Sequence, residues 1–256
     1  MDGRLSGDTL GSATGAVVGA VDPSATISFL RRFGFDVESR HGDEAVLRSE
    51  AGAAIIVAGC DRPGSAPRDF ERRARALDIY TSDIDAALAS LDGEARSPIG
   101  VIELGPVRMR QAMVTGPDGL PIVLVESNMR RSSILDDDPG RLFGDPHSVV
   151  WCVADRDAEA AWWVGHHGMT KGLDLSFSEP AVSEYLGLSR PQVPILMTML
   201  SDAAVSPLRL ELLTFPDDAG PDDSGDEIRG GIWALRFCDG EPRSTLTSPG
   251  GVRFQV

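Results

Sequence analysis

Glu211 is the side chain of this sequence best placed to move a proton. It stands between leucines in Leu208-Arg209-Leu210-Glu211-Leu212-Leu213-Thr214-Phe215, a strand-like run with one inward face. Burial there raises a carboxylate's pKa toward the range useful to a general base. An ion pair with Arg209 or Arg236 is the competing reading, because a buried carboxylate needs a partner whether or not it reacts. His147 is the second candidate, since imidazole titrates near neutrality without help; the alternative is a polar residue opening a strand after Asp145-Pro146. Trp151, Tyr185, Met197, Met199 and Trp233 suit the lining of a cavity for a flat apolar ligand, or else a core. Tyr80, one of two tyrosines, offers a phenol from another strand. His166 and His167 read as a helix-end cap, where the dipole favours cations, and Trp162 and Trp163 as core.

The elements that must carry these residues are repeated along the chain. A strand-like run reaching an Asp recurs as Ala16-Val17-Val18-Gly19-Ala20-Val21-Asp22, Leu77-Asp78-Ile79-Tyr80-Thr81-Ser82-Asp83 and Val149-Val150-Trp151-Cys152-Val153-Ala154-Asp155. Asp at a helix N-cap accepts otherwise orphaned N–H bonds, and Pro23 after Asp22 suits the first helical position. Ile84, Ala87, Leu88 and Leu91 then fall on one helical face. Thr115-Gly116-Pro117-Asp118-Gly119 and Thr247-Ser248-Pro249-Gly250-Gly251 precede further β-rich runs and have hairpin chemistry. Helix first and hairpins last makes a βαβββ unit, copied along the chain.

That unit resembles the vicinal oxygen chelate superfamily, which includes glyoxalase I, bleomycin-resistance proteins, methylmalonyl-CoA epimerases and extradiol dioxygenases. The Val-x-Asp helix starts, Phe33-Gly34-Phe35, His167-Gly168-Met169, Pro117-Asp118-Gly119 and the Leu208–Phe215 run carry the resemblance. It implies an α+β fold of four βαβββ modules in two tandem domains, each curling around a cavity. Residues 1–12 read as a loose arm, 13–128 as the first domain, 129–146 as a linker and 147–256 as the second. The last module is cut short, because Ile232-Trp233-Ala234-Leu235-Arg236-Phe237 leaves no room for a helix before Glu241-Pro242 and the closing hairpin.

The resemblance also implies where a divalent cation would sit. Counting back from the helix starts places Gly15 and Ala76 at ligand positions of the first domain; Val123 and the donor-free run Ala53–Val57 occupy the others. In the second domain Ser148 takes the register position, with His147 one residue off and facing away unless a bulge intervenes. Glu211 matches the family's Glu position, Gln255 stands where the closing strand would carry Glu, and the last position falls near Ile232. No metal and no other cofactor is expected.

Composition narrows the partners. The formal charge of -15 argues against a nucleic-acid partner or an anionic membrane, either of which needs a basic surface, and no run is long enough to span a membrane. Lys171 is the sole lysine, and Arg68-Asp69-Phe70-Glu71-Arg72-Arg73-Ala74-Arg75 reads as a solvated connector. Cys60, Cys152 and Cys238 have no metal spacing, and the Gly/Ser-rich start lacks an apolar core, so a reduced cytoplasm is expected. The acidic stretch Pro216–Asp223 reads as a mobile loop. Dinucleotide, Walker and nucleophile-elbow motifs are absent. The expectation is a monomer or homodimer acting on a small hydrophobic molecule. One reading is a metal-independent lyase, isomerase or cyclase in which Glu211, with His147, moves a proton on a carbonyl-bearing metabolite. The other is a binding protein that sequesters an antibiotic or intermediate.

Overall fold

The computed structural model describes residues 13–202, 208–218, 220–221, 228–237, 242 and 244–256; the 1–12 arm, Cys238, Glu241 and Asp222-Asp223 lie outside them. The chain opens with β1 (Gly15–Ala20), α1 (Pro23–Arg31), β2 (Asp36–His41), β3 (Glu44–Arg48) and β4 (Ala54–Gly59). A second group follows: β5 (Ala74–Thr81), α2 (Ile84–Ser90), β6 (Ala95–Arg96), β7 (Gly100–Leu104), β8 (Val107–Thr115) and β9 (Pro121–Ser127). The third comprises β10 (Phe143–Cys152), α3 (Arg156–His167), β11 (Thr170–Phe177), α4 (Pro180–Tyr185), β12 (Ile195–Ser201) and β13 (Arg209–Thr214). The last holds β14 (Gly231–Arg236), β15 (Thr245–Thr247) and β16 (Arg253–Gln255).

Local chemistry starts the helices where expected. Asp22 accepts from the amides of Ser24 and Ala25, Asp83 from Ala86, and Asp155 from Asp157 and Ala158. Pro117–Gly119 turns β8 back onto β9, with Asp118 held at φ 53. α4 has no counterpart among the expected elements; Pro180 at its start supplies the fixed φ that begins it.

The strands sort into two curled mixed sheets, with orders β15-β16-β14-β1-β4-β3-β2 and β11-β12-β13-β10-β5-β9-β8-β6, β7 pairing with β8. Within a group the first and last strands run parallel, as in β5 with β9 and β10 with β13. Groups meet first strand to first strand and antiparallel, β1 against β14 and β5 against β10. This corrects the expectation that 13–128 and 147–256 each close on themselves. The first group shares its sheet with the last, and the two middle groups share the other.

Alternation along β5 divides the faces. Leu77 and Ile79 join a core that contains Phe29, Phe33 and Trp163 of the helical side, while Ala76 and Tyr80 face the other way. Trp163 is fully buried and donates from Nε1 to Glu159 Oε1 (2.8 Å), as suits a core residue. Phe143 packs on Phe33 with ring centroids 5.0 Å apart, which draws β10 into the stretch expected to be linker. Two polar expectations also change. Arg75 is not in a solvated connector but fully buried on β5, donating from Nη2 to Leu186 O (2.9 Å). His167 is no exposed cationic cap: it is buried against Trp162, Trp163 and Phe254, and burial lowers its pKa to about 4. Among the described residues no helix is long and apolar enough to cross a membrane.

Candidate active site

The second sheet curls around a cavity of about 420 Å³. β5 contributes Ala76, Asp78 and Tyr80 to its lining, β10 His147 and Val150, and β13 Arg209, Glu211 and Leu213. β8 and β9 add Met109, Gln111, Val123 and Val125, whereas β11 and β12 add Leu173, Leu175, Phe177, Met197 and Met199. Tyr185 at the end of α4 and Arg131 from the segment before β10 complete it. The wall is thus largely apolar, with polar groups gathered on the three central strands.

A bulge gathers them. On β10 Pro146 lies opposite Ile79 and Ser148 opposite Asp78, so His147 is an extra residue in the ladder. The shift allows adjacent residues to serve one site, which regular alternation forbids. The His147 ring stacks on Tyr80 with centroids 4.1 Å apart. Ser148 donates from Oγ to Asp78 Oδ2 (3.0 Å), and the same hydroxyl oxygen lies beside the Glu211 carboxyl, whose pKa it lowers. Arg209 reaches both main chain and ring of His147, with Nε 3.2 Å from the carbonyl oxygen and Nη2 3.0 Å from Nδ1. A guanidinium only donates, so Nδ1 is the acceptor and the imidazole proton resides on Nε2.

Electrostatics follow from the enclosure. Burial pushes Glu211 up to about 7, against the pull of Arg209 and Ser148. Asp78 is raised well above the usual carboxylate range, by burial first and by the Glu211 charge second. The Glu211 charge makes Asp78 harder to ionise, so the two carboxyl groups lose their protons in separate steps. His147 is held well below its ordinary value by burial and by Arg209 and Arg131, and stays neutral. Tyr185 is raised well above the phenol range by burial and by the two carboxyls, and keeps its proton. Near neutral pH the cavity therefore contains a carboxylate base, a carboxylic acid, a neutral imidazole N–H and a phenol.

The structure brings Glu211, His147, Tyr80, Tyr185 and Met197 into this one cavity. It does not bring in Trp151, Trp233 or Gln255. Trp151 faces the helical-side core. Trp233 packs with Val17, Ile56 and Ala58 of the other sheet, where the Arg253 guanidinium covers its ring. Gln255 accepts from Arg236 Nε (2.8 Å), and Arg236 pairs with Glu44 at 3.2 Å rather than with Glu211. Asp78, Arg131 and Gln111 belong to the site and were not singled out as site residues, and Ser148 entered only as a register position. Asp78 had a signal, standing two residues before Tyr80 and hence on the same face.

No family model and no curated protein matches the chain. Solved structures do. A point variant of glyoxalase I from Zea mays superposes with a TM-score of 0.63 at 15% identity, over 95% of this chain and 91% of that one. A second glyoxalase I variant from Zea mays gives 0.58 at 15% identity, over 88% and 74%. The fold is the vicinal oxygen chelate fold. In that fold two of the expected metal positions of this sheet fall on Ala76 and Val123. Ala76 lies opposite Val150 on the cavity floor, and Val123 opposite Asp78. Neither has a donor. Among the described residues no three His, Cys, Asp or Glu side chains are grouped to hold an ion. His147 already accepts from Arg209 at Nδ1, and a guanidinium beside the carboxyl pair repels a dication. These residues do not fit a divalent metal.

Proposed function

We propose that this chain is a proton-transfer enzyme, a lyase or isomerase working without metal, whose substrate is a small, largely apolar carbonyl compound held in the cavity of the second sheet. The observation that carries this reading is the carboxyl pair, Asp78 and Glu211, both raised and joined through Ser148 inside an apolar enclosure. Environments that set one carboxyl as acid and the other as base are what acid–base chemistry near pH 7 requires.

The substrate carbonyl oxygen accepts from His147 Nε2–H. Glu211 takes the proton from the adjacent carbon; the C–H electron pair becomes a C=C bond and the carbonyl electrons move onto oxygen. The developing negative charge lies in the field of Arg209 and receives a proton from Asp78. In both outcomes the enol O–H proton returns to Asp78 and the carbonyl re-forms. In an isomerisation Glu211 delivers its proton to another carbon of the conjugated enol as the double bond shifts; in an elimination the electron pair expels a leaving group from the β-carbon, which takes the Glu211 proton as it departs. Tyr80 and Tyr185 bound the substrate with Met197, and water exclusion strengthens each contact. The first sheet, its inner face packed with Trp233, Val17 and Ile56, acts as scaffold.

The test uses propiophenone, an apolar ketone with exchangeable protons beside its carbonyl. In D2O the protein accelerates deuterium uptake at that carbon, read by mass spectrometry. Glu211→Gln lowers the rate by about 10²–10⁴-fold, the usual range for a general base, while propiophenone affinity is kept. Equal exchange with the variant would instead support a binding protein.

A further inference from the structure

Gln111 lies on β8 in the cavity-facing row Val107, Met109, Gln111. It is 9% exposed, and its Oε1 is enclosed without a hydrogen-bond partner. A buried amide oxygen left unpaired destabilises the fold, so its retention needs a reason. Asp78 Oδ1 and His147 Nε2 share this state, on side chains 5% and 6% exposed. His147 Nε2 stands 4.0 Å from Asp78 Oδ2, beyond hydrogen-bond reach, so three enclosed polar atoms without a hydrogen bond, on side chains lining one cavity, are three anchor points for a bound molecule.

Register separates them into two groups. Asp78 lies opposite Val123 on β9, Val123 opposite Met113 on β8, and Gln111 two residues along from Met113, opposite Val125. Two strand spacings and one side-chain repeat put the backbones of Gln111 and Asp78 roughly 10 Å apart across the sheet and ~7 Å along it. A ring system spans that gap; a single functional group does not. The chemistry of the two ends differs too. His147 Nε2 offers a proton, and so faces the carbonyl oxygen. Gln111 Oε1 offers a lone pair, and so faces a donor.

We infer that the substrate carries a second polar group, a hydroxyl or N–H on the side of its ring remote from the carbonyl, and that Gln111 selects for it. The placement of the carbonyl rests on the proton-transfer reading; the second group is read from Gln111 alone. The test measures affinity by calorimetry for propiophenone, para-hydroxypropiophenone and para-methoxypropiophenone, the last an acceptor only. The wild-type protein binds the hydroxyl compound about tenfold more tightly than the other two, the worth of one neutral hydrogen bond. Gln111→Leu, or Gln111→Met should the first not fold, removes the preference, bringing the three affinities within about threefold of one another. No preference in the wild type, a preference that survives substitution, or no binding of any compound to millimolar concentration would overturn the inference. Deuterium exchange into propiophenone reports proton transfer separately, so either reading can fail alone.

Discussion

Arg209 Nη2 stands 3.0 Å from His147 Nδ1, and that contact fixes which ring nitrogen carries the proton. The imidazole is thereby turned into a neutral donor aimed from Nε2. Arg209→Met removes both the hydrogen bond and the second-largest cause of the lowered His147 pKa, leaving burial as the first. Nitrogen NMR of the ring is expected to show Nε2–H in the wild-type protein and, in the variant, a pKa that moves up yet stays below 6.5. A proton on Nδ1 in the wild type would contradict the assignment.

Ser148 acts through the carboxyl groups it touches. Its hydroxyl lowers the pKa of both Asp78 and Glu211, opposing burial. Ser148→Ala therefore shifts the acidic limb of the exchange-rate profile to higher pH, while a purely structural role would lower the rate at every pH alike. The profile from pH 5 to 9 decides between them.

Glu211 links function to stability. Its folded pKa of about 7 exceeds the ordinary 4.5, so the folded state holds this proton more firmly than the unfolded one. The stabilisation is complete below pH 4.5 and is lost as pH rises through 7. Glu211→Gln lacks that loss. Relative to wild type it gains up to about 3 kcal/mol between pH 4.5 and 8, since one pKa unit is worth about 1.4 kcal/mol. Urea denaturation at both pH values checks it, and a difference independent of pH would refute it.

His167 gives the opposite slope. Its folded pKa near 4 lies below 6.5, so the unfolded chain binds a proton that the folded one refuses. Stability falls as pH drops from 6.5 through 4, and neither ring nitrogen has a partner to offset this. His167→Leu should flatten the acid limb of the melting curve by on the order of 2 kcal/mol over that window. An unchanged limb would place the acid sensitivity elsewhere.

Much of the fold was legible because local chemistry dictated it. Asp22, Asp83 and Asp155 cap the helices their sequences announce, and the Pro117-Asp118-Gly119 turn sits where its residues demand. The pairing of groups was not legible, because strand partners hundreds of residues apart, such as Gly15 and Arg236, leave no local signal. That pairing is why Tyr80, read on one domain, meets Glu211, read on the other. His147 stood out of register, and only the bulge before Ser148 brings it inward. Gln255 and Trp233 matched by position but lie on the sheet whose Arg236 and Arg253 already engage them. Arg131 was hidden in a stretch without periodicity.

The carboxyl pair itself is open to direct measurement. Carbon NMR of the Asp78 and Glu211 carboxyl groups, followed from pH 3 to 10, should show Glu211 titrating at about 7 and Asp78 well above the ordinary 3.8, with each curve distorted by the other. Independent titrations of both groups near 4 would mean that water reaches them freely, and that neither ionisation is raised by the other.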